Sequence, residues 1–581
     1  MKTLNLHVDY IKFKPLKKAL KSVDELSEKE KKGGEVKDAL AVLTAVEKTD
    51  TDVKSVVEKL VESIKEIAEQ INVKNIVLYP YAHLSQDLAS AELAIEVLEE
   101  AAKSLVKNKF NVFRAPFGYY KEFEMKVKGH PLSELSRSFD GGKEGEKIKV
   151  SEEMDKKVDI QELVKKLGKV KMSAERTKGG LKSNVELGRD LDLYLINEVV
   201  GSGLPLLTPK GATIKREIER FIQDEEIRRG YLYTSTPIMA KSDLYKISGH
   251  WDHYREFMFT LKVGNETFAL RPMTCPFQFI IYKSKSRSYK ELPIKYAEIS
   301  SLFRNEKSGE LMGLTRMRQF TLADAHIICK PEQLEEEFAK VIELVQYVMK
   351  TLKIEDIWYR FSKWDPKNKE KYIDNPKAWD SSQKSMKKIL DKLKIKYVEA
   401  ENEAAFYGPK LDLQYKNVFG KEDTLITVQI DFALPEKFDL NYLDKDNKFK
   451  KPIVIHRSSV GCLERTIAYL LEKTQGNLPL WLSPIQVKVL PMTDRNINYS
   501  RQIFDKLKKE NIRVEIDDGT ESMSKKVRDA QLEKVFYSIT IGDKEEQAET
   551  LAIRNRDGKV EFGVKINDFV SKLKKEIKER I

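Results

Sequence analysis

Cysteine is scarce in this chain: Cys275, Cys329 and Cys462 are the only three in 581 residues, and they lie far apart. That scarcity excludes a disulfide framework and leaves each thiol as a core side chain or a metal ligand. No apolar run reaches the ~18 residues that a membrane-spanning helix needs, and no internal repeat or low-complexity tract is present. The opening MKTLNLHVDYIKF alternates apolar and polar residues where a secretory leader would carry an unbroken apolar stretch. A cytoplasmic protein with no membrane segment is expected.

What is present is charge. Charged residues make up 34% and hydrophobic residues 41%, a balance that excludes a disordered chain. Basic residues exceed acidic ones by 12 and the pI is near 9.0. Such an excess favours polyanionic partners, nucleic acid first, through neutralised phosphates and released counterions. A solvated Lys/Glu surface explains the same balance, so charge alone does not choose.

The length implies several cores, since domains run to about 100–200 residues each. Residues 1–138 read as an α/β unit, with strands over 4–13, 41–46 and 75–79, helices over 53–70 and 89–107, and a turn at Ala115-Pro116-Phe117-Gly118. Residues 139–190 are rich in Lys, Glu and Gly, lack a sustained strand pattern, and read as a partly helical linker. Over 191–477, amphipathic helices such as 214–228 and 331–352 alternate with β-rich runs such as 424–432, an α+β arrangement built on an antiparallel sheet. Over 478–581, the strand-like IQVKVLPM and VFYSITIG alternate with helices at 500–510, 523–532 and 564–577, the rhythm of a small α/β domain. The fold class is therefore multidomain, α+β together with α/β.

The stretch densest in chemistry is FRNEKSGELMGLTRMRQFTLADAHIIC, Phe303 to Cys329. Arg304 and Glu306 precede a Ser308-Gly309 loop, and Arg316, Arg318 and Phe320 return after it, as in an antiparallel hairpin with a long loop. A planar guanidinium matches two phosphate oxygens at once, and an aromatic ring among arginines offers a base a stacking face. Two isolated arginines would suggest only a basic surface hairpin; here the whole pattern has to be explained.

That pattern resembles motif 2 of the class II aminoacyl-tRNA synthetases. GATIKREIERFI with TSTPIM, including Pro237, is similar to motif 1, and GCLERTIAYLLE with Arg465 to motif 3. GHWDHY, RPMTCP, DAHIIC, AAFYGPKLDL, TVQIDFALP and VIHRSSVG, in that order, narrow the resemblance to the threonyl-tRNA synthetase family, over essentially the whole chain. The resemblance implies a class II antiparallel-sheet catalytic core, an N-terminal deacylase-like editing domain and a C-terminal α/β anticodon-binding domain. It further implies a threonine–tRNA ligase taking ATP with Mg²⁺, L-threonine and tRNA(Thr), assembled as a homodimer through motif 1.

By the same resemblance Arg304 would hold the α-phosphate of ATP and bridge to the amino acid carboxylate. Glu306 would read the adenine amino group, Phe320 would stack on the ring, and Arg316 with Arg465 would hold the γ-phosphate. The chemistry suits these residues, because attack of a carboxylate on the α-phosphorus builds charge that fixed arginines and Mg²⁺ stabilise.

Cys275, His326 and His456 are 51 and 130 residues apart, so no short-spacing rule marks them, and on spacing alone buried structural roles explain each. The resemblance assigns them one Zn²⁺ per subunit, with positions left open for the amino and β-hydroxyl groups of threonine. Asp324, Tyr407 and Gln429 would contact those groups and Met273 the side-chain methyl. Valine lacks the hydroxyl ligand and would be refused; serine has it, and differs by one methyl worth only about 1–3 kcal/mol.

A second sieve is then needed, and LHVDY, YPYAHLS, RAPFGYYKEF and KGHPLSELSR resemble the family's archaeal-type editing domain, related in fold to D-aminoacyl-tRNA deacylases. His83, Tyr120, Lys121 and Glu134 would line its pocket, with His7 and His130 structural. Lys534, Glu545 and Arg554 fall where the family contacts anticodon bases, Lys534 standing in place of a family arginine. Two rivals fit parts of the pattern: a paralogue that edits but does not ligate, and a non-catalytic synthetase-derived RNA-binding protein.

Overall fold

The computed structural model describes residues 1–20, 23, 25–85, 87–130, 132–138, 160–167, 172, 180–369 and 371–581. Most of the expected linker, at 139–159, 168–171 and 173–179, lies outside them. The chain divides into two compact units, Met1–Val158 and Asp159–Ile581.

In the first unit the strands are β1 (Lys2–Lys18), β2 (Gly34–Ala45), β3 (Asn75–Pro80), β4 (Asn111–Arg114), β5 (Tyr119–Val127) and β6 (Glu134–Ser138), with helices α1 (Val53–Gln70) and α2 (Ala91–Lys107). The sheet runs β4-β3-β2-β1-β5, with β6 also on β1; β2, β3 and β4 are mutually parallel and the other pairs antiparallel. Side chains alternate across a strand, so Leu40, Val42, Ile76 and Leu78 meet the buried stripes of α1 and α2, while Ala39, Ala41, Val77 and Tyr79 build a second cluster with Val8, Ile11 and Phe13. Asp52 and Ser90 start the two helices by accepting from the N–H of Ser55 and Leu93. The polar GEVKDA hides the first half of β2 from a periodicity reading, yet it pairs along β1 in unbroken register with the rest.

The second unit is organised on an eight-stranded sheet. Its elements are α3 (Asn184–Asp190), α4 (Pro209–Arg228), β7 (Leu232–Tyr233), α5 (Cys275–Lys283), β8 (Ile294–Phe303), β9 (Gln319–Cys329), α6 (Leu334–Thr351), β10 (Trp358–Ser362), β11 (Tyr397–Ala400), β12 (Lys410–Lys416), β13 (Glu422–Asp431), β14 (Ile453–Cys462) and α7 (Leu463–Thr474). The order β11-β10-β12-β13-β14-β9-β8-β7 is antiparallel except at the two outermost pairs. Beneath it α4, α6 and α7 bury Ile218, Phe221, Phe338, Val345, Ile467 and Leu470 in one core. Leu187 of α3 joins that core, and Asn184 donates to buried Glu472 at 2.7 Å, so residues read from sequence as linker are part of this packing.

Two features of this sheet position the site. β8 and β9 form the hairpin expected around Phe303–Cys329, and across the three central strands His326 sits opposite His456, itself opposite Gln429. One row of the sheet thus carries three of the expected side chains.

The C-terminal part adds β15 (Val487–Pro491), α8 (Ile497–Lys509), β16 (Val514–Ile516), α9 (Met523–Leu532), β17 (Tyr537–Ile541), β18 (Leu551–Asn555), β19 (Val560–Val564) and α10 (Ile566–Glu579). Its sheet, β16-β15-β17-β18-β19, is parallel over the first three strands and closes with an antiparallel meander.

Candidate active site

A cavity of about 760 Å³ opens on the face of the large sheet away from α4 and α6. Cys275, His326, His456, Arg304, Glu306, Arg316, Phe320, Arg465, Met273, Asp324, Tyr407 and Gln429 all line it, so the expected metal, nucleotide and amino acid residues share one space.

Cys275, His326 and His456 are buried, and their donor atoms all lie within 4.8 Å of one another. Cys275 opens α5 and the histidines come from β9 and β14, adjacent in register. Burial pushes the Cys275 thiol well above its usual range and the His326 imidazole well below its own. A sulfur and two imidazoles in reach of one point are the N/S donor set that Zn²⁺ takes, and a cation is what would make a thiolate affordable at this depth. The rings are held from behind: His326 Nδ1 lies 2.6 Å from Gln278 Oε1, and His456 Nε2 lies 2.8 Å from Asp431 Oδ2. The donors present fit zinc.

Around this group the Tyr407 hydroxyl donates to Gln429 Oε1, and the Tyr407 ring stands 5.1 Å from that of His456. Asp324 Oδ1 lies 3.9 Å from His326 Nε2, and burial raises its carboxyl above the usual range.

On the nucleotide side the Arg304 guanidinium lies over the Phe320 ring at 5.0 Å, and its Nε is buried with no partner among the described residues. Glu306 accepts from Arg316 Nε at 2.9 Å, and Arg316 also reaches Glu310 at 2.9 Å. Arg465 is anchored by the carbonyls of Thr315 and Thr424, at 3.1 and 2.8 Å. Glu306 and Arg316 therefore occupy each other, and a nucleotide would have to exchange their ion pair for its own contacts.

Sequence reasoning passed over His250 and Lys410, which also line the cavity. His250 follows Gly249, whose φ of 78° lets one short helix turn into the next, and burial drives its imidazole down to about 3, keeping it neutral. Lys410 is held by Asp412 at 2.9 Å and stands opposite Gln429 in the sheet. The signal was available, since both lie in GHWDHY and AAFYGPKLDL.

In the first unit, Lys121 donates to the carbonyls of Pro116 and Tyr119, at 2.7 and 3.1 Å, and lies over the Tyr79 ring at 5.2 Å. Burial brings its amine down to about 8. Phe123, Tyr79, Tyr81 and His83 follow in ring contact, linking His83 to this strand. Tyr120 is 64% exposed, and Glu134 is exposed on β6 opposite Leu6, with no hydrogen bond to the other three among the described residues. His7 and His130 bond ring to ring at 2.7 Å and fasten the loop between β5 and β6 to β1. In the C-terminal part a cavity of about 510 Å³ is lined by Lys534 and Arg554, with Gln531, Ser538 and Arg556. Glu545 does not line it; its carboxylate accepts the Gly542 N–H at the start of its own helix.

Three family models match the chain in succession: the Archaea-specific editing domain of threonyl-tRNA synthetase over residues 1–139, the class II core domain of tRNA synthetases (G, H, P, S and T) over 258–474, and an anticodon binding domain over 486–576. Threonine–tRNA ligases of Clostridium botulinum (strain Eklund 17B / Type B) and Clostridium perfringens (strain SM101 / Type A) are 57% and 54% identical over 401 and 399 residues. Each match covers 68% of this chain and 62% of the relative, so the chain spans about three-fifths of the length of those proteins. A solved structure titled as the RNA binding domain of threonyl-tRNA synthetase from Cryptosporidium parvum Iowa II is 32% identical, with a TM-score of 0.65, over 68% of this chain and 98% of that one. A structure of a putative threonyl-tRNA synthetase from Aeropyrum pernix is 26% identical, with a TM-score of 0.61, over 69% and 97%.

Proposed function

Because the chain belongs to the threonyl-tRNA synthetase family, we propose that it activates L-threonine with ATP, transfers it to the 3′ end of tRNA(Thr), and hydrolyses mischarged seryl-tRNA(Thr) in its first unit. The observation that carries the reading is the convergence, in one cavity, of Arg304, Phe320 and Arg465 with the Cys275, His326 and His456 donors.

ATP enters with its Mg²⁺ and stacks its adenine on Phe320. Glu306 leaves Arg316 to meet the adenine amino group, which frees the Arg316 fork to join Arg465 at the γ-phosphate. Arg304, whose Nε has no partner to give up among the described residues, takes the α-phosphate and the threonine carboxylate together. The carboxylate attacks the α-phosphorus, pyrophosphate leaves, and the charge built on the phosphate oxygens falls on guanidinium groups already in place. Zinc held by Cys275, His326 and His456 would supply Lewis-acid positions for the amino and β-hydroxyl groups of threonine, which valine cannot satisfy. Asp324, Tyr407 and Gln429 orient those two groups, and Met273 borders the methyl. The tRNA ribose hydroxyl then attacks the adenylate carbonyl and AMP leaves.

Serine satisfies the same polar contacts, and the first unit answers that ambiguity. Lys121, His83, Tyr120 and Glu134 hold the mischarged end while water cleaves the ester, with Lys121 partly neutral near physiological pH. Division of labour follows 1–138 for editing, 191–477 together with the packed α3 for ligation and 478–581 for the anticodon, where Lys534 and Arg554 share a cavity suited to base edges and Glu545 stands outside it. A cytoplasmic homodimer is proposed, supported by the apolar rim of the motif 1 segment, where Leu232, Ile238 and Met239 are 58%, 48% and 40% exposed. Among the described residues no helix is long and apolar enough to cross a membrane.

Threonine-dependent ATP–pyrophosphate exchange tests the reading. The ligase shows it; seryl-tRNA hydrolysis without exchange would indicate an editing-only protein, and neither activity an RNA-binding one.

A further inference from the structure

We infer that Gln278 and Asp431 are positioning residues that decide which ring nitrogen each zinc histidine offers, Nε2 of His326 and Nδ1 of His456, an inference that rests on the zinc reading above. A neutral imidazole carries one proton, and the nitrogen that donates to a partner cannot also ligate a metal.

For His326 the assignment follows from a chain of single-role groups. The Gln278 amide nitrogen donates to Thr234 Oγ1 at 2.8 Å. The Thr234 hydroxyl lies 3.1 Å from Glu298 Oε2 and 3.3 Å from the Ala297 carbonyl, both acceptors, so its hydrogen is committed there and its oxygen is left to accept. Glu298 is in turn fixed by Arg271 Nη1 at 2.8 Å and the Thr236 hydroxyl at 2.9 Å. The amide is gripped at its nitrogen, its oxygen must face His326, and His326 Nδ1, 2.6 Å away, must carry the proton. The Nε2 lone pair remains for the metal.

For His456 the partner is a carboxylate. Asp431 is fully buried, and its Oδ1 accepts the N–H groups of Ala433 and Leu434 at 2.8 and 2.9 Å. Its Oδ2 meets His456 Nε2 at 2.8 Å, which places the ring proton on Nε2 and the lone pair on Nδ1. Local geometry explains why these two residues serve. Gln278 is one helical turn past Cys275 on α5, on the same face, and Asp431 is two past Gln429 on β13, also on the same face. The two histidines are held by unlike partners, a carboxylate behind His456 and an amide behind His326.

The full-length protein is tested as wild type, Asp431→Asn, Gln278→Leu, Thr234→Val and Thr234→Ser. Zinc affinity is read by chelator competition, the ligand field by the visible spectrum of the Co²⁺-substituted protein, and folding by circular dichroism. Asp431→Asn keeps an oxygen for the two backbone N–H groups but turns an amide donor toward His456. It and Gln278→Leu are expected to weaken zinc binding by about 10- to 100-fold and shift the Co²⁺ bands. Thr234→Val touches no ligand, yet frees the Gln278 amide to rotate and should weaken zinc binding measurably, while Thr234→Ser restores it. Folded Asp431→Asn and Gln278→Leu proteins with wild-type zinc affinity and Co²⁺ bands overturn the positioning roles and leave the zinc reading standing. A wild-type protein that binds neither Zn²⁺ nor Co²⁺ overturns the zinc reading itself.

Discussion

Arg304 combines two properties at one position, a guanidinium over the Phe320 ring and a buried Nε without a hydrogen-bond partner among the described residues. A donor already desolvated is worth most where charge develops in the transition state, so under the proposed role at the α-phosphate Arg304→Ala is expected to lower exchange by about 10²- to 10³-fold. Zinc content should stay at the wild-type level, which separates loss of the arginine from collapse of the cavity. Lys121 shows burial acting in the opposite sense, disfavouring a charge. Its folded amine titrates near 8 against an ordinary value of 10.5. Between those values the unfolded chain binds more protons than the folded one, so this group makes stability rise as pH increases from about 8 toward 10.5. Denaturant titrations across that range should show the rise in wild type and a flatter dependence in Lys121→Met; equal slopes would refute the depressed amine.

At the scale of elements, α4 and β14 are joined under the sheet by a polar knot. Arg457 donates to Glu226 at 2.6 Å with both side chains buried, Ser459 and Tyr233 also donate to Glu226, and the Tyr231 ring lies 4.1 Å from the guanidinium. Removing one partner strands the other charge, so Glu226→Gln is expected to cost about 3–5 kcal/mol in chemical denaturation. Because Arg457 follows His456 on β14, the knot also fixes the strand that carries a proposed zinc ligand. Little of this was legible in the sequence. The hairpin of β8 and β9, most of the long helices and the α/β rhythm of the C-terminal part announced themselves by period and turn residues, which are local properties, whereas α3 reads as linker and α5 gives no helical signal of its own. The knot, the Gln278 relay and the row of Gln429, His456 and His326 depend on register between strands far apart in the chain, which no window of sequence contains. Ordered motif segments still pointed to Cys275, His326 and His456, which the fold brings together, because their match to a family carries register information that spacing lacks. Glu545 shows where that transfer stops: its carboxylate serves its own helix start, a role set by the local backbone.

At the scale of the molecule, each unit has its own core and its own candidate chemistry. Lys121→Met should therefore abolish seryl-tRNA hydrolysis and leave exchange intact, while Cys275→Ser should do the reverse and lose zinc; parallel loss of both activities in either variant would contradict separate centres. The three donors from α5, β9 and β14 also clasp stretches 51 and 130 residues apart. Any molecule that completes their coordination binds the folded chain and not the unfolded one, and so stabilises it in proportion to the logarithm of its concentration. Threonine should then raise the melting temperature of the zinc-loaded protein and valine should not. Under the proposed function the durability of the protein would thus follow the supply of zinc and threonine, and the chain would persist longest where it has material to work on.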